Sequence, residues 1–157
     1  MEKYDVRDIT RWILKKEPVT HKRLQKYLYF FYGEFLADRN SSVNKIDVEL
    51  FKNDFQGWAH GPVSPTIYDI FKGSSYHPLL SRSEIKLDIC TEDEELLNKI
   101  YNKYRVYSTD RLEELSHEQE PWKKSRDGLG IFDIGTKPIL TADIFNCFSS
   151  NGSKISS

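Results

Sequence analysis

The chain has 157 residues, 38% hydrophobic and 30% charged, which suits one compact domain and excludes both a disordered chain and two ordinary domains. No apolar run approaches the roughly 20 residues of a membrane-spanning helix, the start MEKYDVRDITRWI lacks a secretory pattern, and two cysteines, Cys90 and Cys147, make no disulfide framework, so a cytoplasmic protein is expected. The net charge of −1 divides as +3 over residues 1–39, −6 over 40–120 and +2 over 121–157, too little basic concentration to make nucleic acid the expected partner.

Asp5 is placed to cap a first helix carrying Val6, Ile9, Ile13 and Leu14, which Pro18 bars from continuing. Thr20 caps a long second helix ending near Ala37. There Leu24, Tyr27, Leu28, Phe31, Phe35 and Leu36 follow helical spacing, and Tyr29, Phe30 and Tyr32 widen the stripe until it is apolar nearly all round. Such a helix is central and buried. After the polar loop DRNSSVN, Gly57, Gly61 and Pro62 punctuate a turn, and Pro65 opens a short helix through Phe71. Ile85, Leu87 and Ile89 alternate with Lys86 and Asp88, which predicts a strand, with Phe55–Ala59 as its partner. Thr91 and Glu94 form a T-x-x-E capping box before Leu96, Leu97, Ile100, Tyr101 and Tyr104. Ser108 starts a helix with Leu112 and Leu115, and Pro121 closes it or bends the chain. GLGIFDIGTKP reads as a loop, and Thr141 caps a last helix with Ile144, Phe145 and Phe148. The expected fold is mainly α (α+β): a compact helical domain with a two- or three-stranded antiparallel β element.

The chemistry-bearing residues are sparse. His21, His60, His77, His117 and the two cysteines sit at no metal-ligand spacing, and Pro121 occupies the second histidine position of an H-E-x-x-H string starting at His117. No G-x-S-x-G is present, and Gly128-Leu129-Gly130 reads as a plain turn. No catalytic residue, metal site or cofactor is therefore expected. Lys15, Lys16, Lys22, Arg23 and Lys26 make a basic end over residues 11–26, the basis of an alternative reading as a nucleic-acid-binding transcriptional regulator. A recognition helix needs a polar face of base-reading side chains, and this one is aromatic after Lys26. The aromatic count itself, 21 rings against 33 Leu, Ile and Val, suits a ring-filled core or an interface.

Two strings carry a resemblance. The first runs from Thr20 through Leu24-Gln25-Lys26-Tyr27-Leu28-Tyr29-Phe30 and resumes as Phe55-x-x-Trp58-x-His60-Gly61-Pro62-Val63-x-Pro65-x-x-Tyr68-x-x-Phe71; the second is Leu112-x-x-Leu115-Ser116-His117-x-x-Glu120-Pro121-Trp122. Together they resemble the Panacea domain, the family of SocA-like and GepA-like phage-associated proteins, over residues 1–148 as a single domain with a flexible tail at 149–157. The resemblance implies an antitoxin that neutralises a toxin encoded nearby by direct binding, one branch of the family handing its toxin to a AAA+ protease. It leaves no residues for the extra helix-turn-helix domain of some relatives.

Read physically, Gly61-Pro62 fixes a turn and Pro65 a helix entry, so Trp58 and His60 are held in one orientation. His117 is placed to orient Glu120 at i, i+3, and Pro121 to present Trp122. Trp58, Trp122, Gln25 and Lys26 form one patch if the hairpin folds over the second helix. Two roles stand open for them: partner anchors, with Trp58, Tyr68 and Trp122 foremost, or ties within the domain, with Gln25 and Lys26 satisfying buried carbonyls.

Overall fold

A computed structural model describes residues 1–72 and 86–150. In chain order these form α1 (Val6–Lys16), α2 (His21–Arg39), β1 (Gln56–Trp58), β2 (Gly61–Val63), α3 (Pro65–Phe71), α4 (Thr91–Tyr104), α5 (Thr109–His117), α6 (Glu120–Ser125) and α7 (Thr141–Ser150). The fold is thus mainly α with a small antiparallel β element, as its sequence predicts.

The caps explain where several helices begin. Asp5 accepts from the Arg7 N–H at 2.8 Å, Thr20 from Arg23 at 3.2 Å and Ser108 from Arg111 at 3.0 Å, each satisfying a donor that has no partner inside its helix. Helix α2 is buried on every side, from Leu24 to Ala37, because the other elements wrap it. Its rings meet Tyr104 of α4 (Phe30, stacked at 4.6 Å), Phe55 (Tyr29, 5.6 Å) and Phe51 (Tyr32, 5.4 Å). The hydroxyls these tyrosines bring inside are paired: Tyr27 donates to Glu17 at 2.7 Å and Tyr29 to Gln119 at 2.6 Å. Gly33 lets α7 approach, since a Cβ there would lie 2.2 Å from the Phe148 ring.

Four local expectations give way to tertiary context. Residues 86–90 carry no strand; Leu87 and Ile89 rest against the core while Lys86 and Asp88 face solvent. Their alternation records the half-burial of an unladdered segment (Ile85 lies outside the described residues). Phe55–Ala59 instead supplies β1, which pairs with β2 in the register Gln56↔Val63, Gly57↔Pro62 and Trp58↔Gly61. Its other edge meets 137–139, through Gly57 N–H to Lys137 O at 3.1 Å and Ile139 N–H to Phe55 O at 2.8 Å. Thr91 is not a cap: Cys90 holds the N-cap position of α4, and its side chain makes no capping hydrogen bond.

At the other two sites the helix boundary moves. Helix α5 ends at His117, and Pro121 sits in the first turn of α6 rather than ending its predecessor, where its missing N–H costs nothing. Thr141 lies inside α7, its hydroxyl 3.0 Å from Asn53 Nδ2, which donates to it. Of the tail, Ser149 and Ser150 belong to α7, and the rest lies outside the described residues. Among the described residues no helix is long and apolar enough to cross a membrane.

Candidate functional site

The two motif strings converge where the β1–β2 hairpin lies over the N-terminal half of α2. Gly61 makes the turn. Its φ of 120° is one that side-chain-bearing residues rarely adopt, and a Cβ there would stand 2.8 Å from the Lys26 Nζ. The chain then runs through buried Pro62 and Val63 to Ser64, whose Oγ faces the Ile67 N–H at 3.5 Å, and Pro65 opens α3.

Gln25 and Lys26 fasten the hairpin from below. Gln25 accepts from the Ser64 N–H at 2.9 Å and donates to the Ser64 carbonyl at 3.2 Å, so its amide replaces a strand partner at a fully buried residue. Lys26 donates its ammonium to the carbonyl of His60. Burial lowers its pKa to about 8, against the pull of Glu113. Glu113 meets Lys22 at 2.9 Å and His60 Nδ1 at 3.5 Å, so α5 is tied to both α2 and the turn. Burial alone would raise the Glu113 pKa, but Lys22, Lys26 and His60 hold it below its ordinary value.

The second string fastens the hairpin from the side. Trp122 donates its indole N–H to the carbonyl of Trp58 at 2.8 Å and stacks on His117 with ring centroids 4.0 Å apart. Burial depresses the His117 pKa, which favours the uncharged ring, and its Nε2 is buried with no hydrogen-bond partner among the described residues. The expected His117–Glu120 pairing does not form: Glu120 is exposed, and no bond or ion pair joins the two. The turn at Glu118 and Gln119 and the start of α6 place His117 against Trp122 instead. Pro121 is buried. Trp58 is half-buried, its N–H on Gln56 Oε1 at 2.9 Å and its ring edge-on to Tyr68 at 4.7 Å. Around the turn, His60 and Tyr68 are exposed and Trp58 half-exposed, while Glu120 reaches solvent from the second string.

The basic end of residues 11–26 is largely spoken for. Lys26 is buried, Lys22 pairs with Glu113, Lys16 lies over the Trp12 ring at 4.8 Å, and Arg23 donates to Tyr27 and the Arg105 carbonyl. Among the described residues no group of three His, Cys, Asp or Glu side chains could hold a metal. Gly128 adopts φ 82° in a turn that follows α6, so Gly128-Leu129-Gly130 does not open a helix.

One important residue carried no sequence signal. Arg126, buried just after α6, donates to the carbonyls of Gly57 (2.9 Å), Gly130 (2.8 Å) and Asp133 (2.8 Å). It locks β1 to the loop at 128–135. An isolated arginine before Asp-Gly has no period to betray it, and only the tertiary fold shows that its donors are used inside.

What emerges is a small helical module whose motif residues hold a hairpin rigidly on a central aromatic helix. The chain belongs to the family described as "Antitoxin SocA-like, Panacea domain", whose pattern matches residues 24–123. It is also similar to "Antitoxin SocA" of Caulobacter vibrioides (strain NA1000 / CB15N), at 32% identity over 90 residues, covering 54% of this chain and 44% of that protein. The chain therefore aligns with less than half the length of this curated relative. No solved structure matches it.

Proposed function

We propose that this protein is a cytoplasmic, non-catalytic antitoxin that neutralises a toxin encoded beside it by forming a protein–protein complex. Family membership carries this reading. The geometry supports it, because the fully buried polar side chains of the motif, Gln25 and Lys26, are spent on the scaffold. Gln25 and Lys26 bind backbone atoms, His117 stacks on Trp122, and Glu120 stands apart. That is the construction of a stiff binding surface, which loses little entropy on association. A specific complex of this kind buries about 800 Å² per partner. Trp58 and Tyr68 are the motif residues placed to contribute to it. Delivery of the bound toxin to a AAA+ protease is a further step that such a complex can serve.

Co-expression with the adjacent gene tests the proposal. Growth is restored, and a tagged antitoxin brings the toxin through purification. Continued arrest with a folded antitoxin, and no co-purification, refutes it.

A further inference from the structure

The loop at 128–135 presents Ile131, Phe132 and Ile134 with 78%, 86% and 91% of their surface in solvent. The other large apolar side chains of the described residues are buried or half-buried except Met1, Tyr68, Val106 and Leu140, which stand singly in the sequence. Isolated apolar side chains on a surface need no explanation, whereas a clustered set marks a contact site.

This loop is also braced. The Arg126 guanidinium holds the Gly130 and Asp133 carbonyls, the Asp133 carboxylate accepts from the Gly130 N–H at 2.7 Å, and the Asp133 N–H returns to Gly130 O at 3.1 Å. Gly135 is pressed against β1, where a Cβ would lie 2.4 Å from Gly57 O. The chain thus fixes its backbone with a buried cation and leaves three apolar side chains in water. That arrangement suits a preformed anchor, which binds without first paying to order itself.

We propose that Ile131, Phe132 and Ile134 are the apolar anchor by which this protein grips its toxin, seated in an apolar cleft of that partner. The proposal rests on the antitoxin reading above and extends it to a surface outside residues 24–123, the span matched by the family. A second copy of this chain fits less well. Its roomy surface cleft, about 510 Å³ between α5, α6 and α7, has Leu115 and Cys147 on its walls but also Glu118, Glu120, Lys124 and Asp143, charges that a phenyl ring entering it would strip of water. An anionic membrane fits less well too, since the Asp133 carboxylate lies within the triplet and Asp127 just before it.

The experiment uses the full chain, the purified product of the adjacent gene, and two variants: Phe132→Ala, and the triple Ile131→Ser, Phe132→Ser, Ile134→Ser. Exposed positions leave the fold intact, so both variants are expected to melt with the wild type. Binding to the toxin falls about 30-fold for Phe132→Ala and further for the triple variant. Wild-type binding with the triple variant within threefold of it overturns the anchor and leaves the antitoxin reading standing. Absence of wild-type binding overturns both. Pelleting with phosphatidylcholine/phosphatidylglycerol vesicles, or a dimer on gel filtration, that the triple variant abolishes reassigns the loop and overturns the proposal.

Discussion

Replacing Gln25 by leucine keeps the volume and helix propensity of the side chain and deletes its amide. Two hydrogen bonds to Ser64 disappear, at 2.9 and 3.2 Å. Their loss is unequal. The Ser64 carbonyl still accepts from the Tyr68 N–H at 2.9 Å, but the Ser64 N–H, on a residue with no solvent exposure, is left alone. An orphaned buried donor costs about 1–3 kcal/mol and the second bond about 1 kcal/mol more, so a loss of about 2–4 kcal/mol is expected. For a domain of this size that lowers Tm by roughly 5–15 °C. Urea unfolding followed by tryptophan fluorescence reads the free energy, with circular dichroism confirming that the helices persist. A Gln25→Leu protein within about 0.5 kcal/mol of wild type would show that the amide does not hold the hairpin, and the account of the motif as a fastening would fail.

Three further changes probe the same construction. Gly61→Ala forces a side chain onto a φ of 120° and toward the Lys26 ammonium, and about 2–4 kcal/mol of destabilisation in urea is expected; a neutral substitution would contradict the turn geometry. Lys26 titrates near pH 8 when folded and near 10.5 when unfolded, so between those values the unfolded chain binds the extra proton and folding is favoured as pH rises. Against Lys26→Met, the wild type should therefore gain up to about 1.4 kcal/mol per pH unit from pH 8 to 10, and a difference that stays flat would show that burial does not depress the Lys26 pKa. His117 has a depressed pKa, so its contribution is whole above the unfolded value and is lost as pH falls below about 6.5. His117→Phe, which keeps a ring against Trp122, should flatten that acid limb in thermal melts between pH 7 and 5.

The helices were legible because their signals are local. Helical spacing and an all-round apolar surface put α2 at the centre, and Thr20, Asp5 and Ser108 cap where a short polar side chain precedes an apolar run. The segment around Leu87 and Ile89 misled because alternation reports which side chains meet the core, while a strand also needs a neighbour to bond. Thr91 failed similarly: the capping pattern fits, but the helix starts one residue earlier, with Cys90 at its cap. Within the site, Gln25 and Lys26 were readable as satisfiers of buried carbonyls because polar groups enclosed by aromatic neighbours must find partners. The segment 128–138 was readable as a loop, but Arg126 and its bracing of that loop were not. Their meaning lies in carbonyls of Gly57, Gly130 and Asp133 that only folding brings together.

On the proposed function, neutralisation is stoichiometric occupancy of one polypeptide by another. Purified toxin, assayed for whatever activity arrests growth, can be titrated with this protein while calorimetry follows the heat of binding. Toxin activity is expected to fall in step with complex formation and to vanish at a fixed molar ratio. Neutralisation by a small fraction of an equivalent, or without any bound complex, would mean turnover in place of binding and would contradict it.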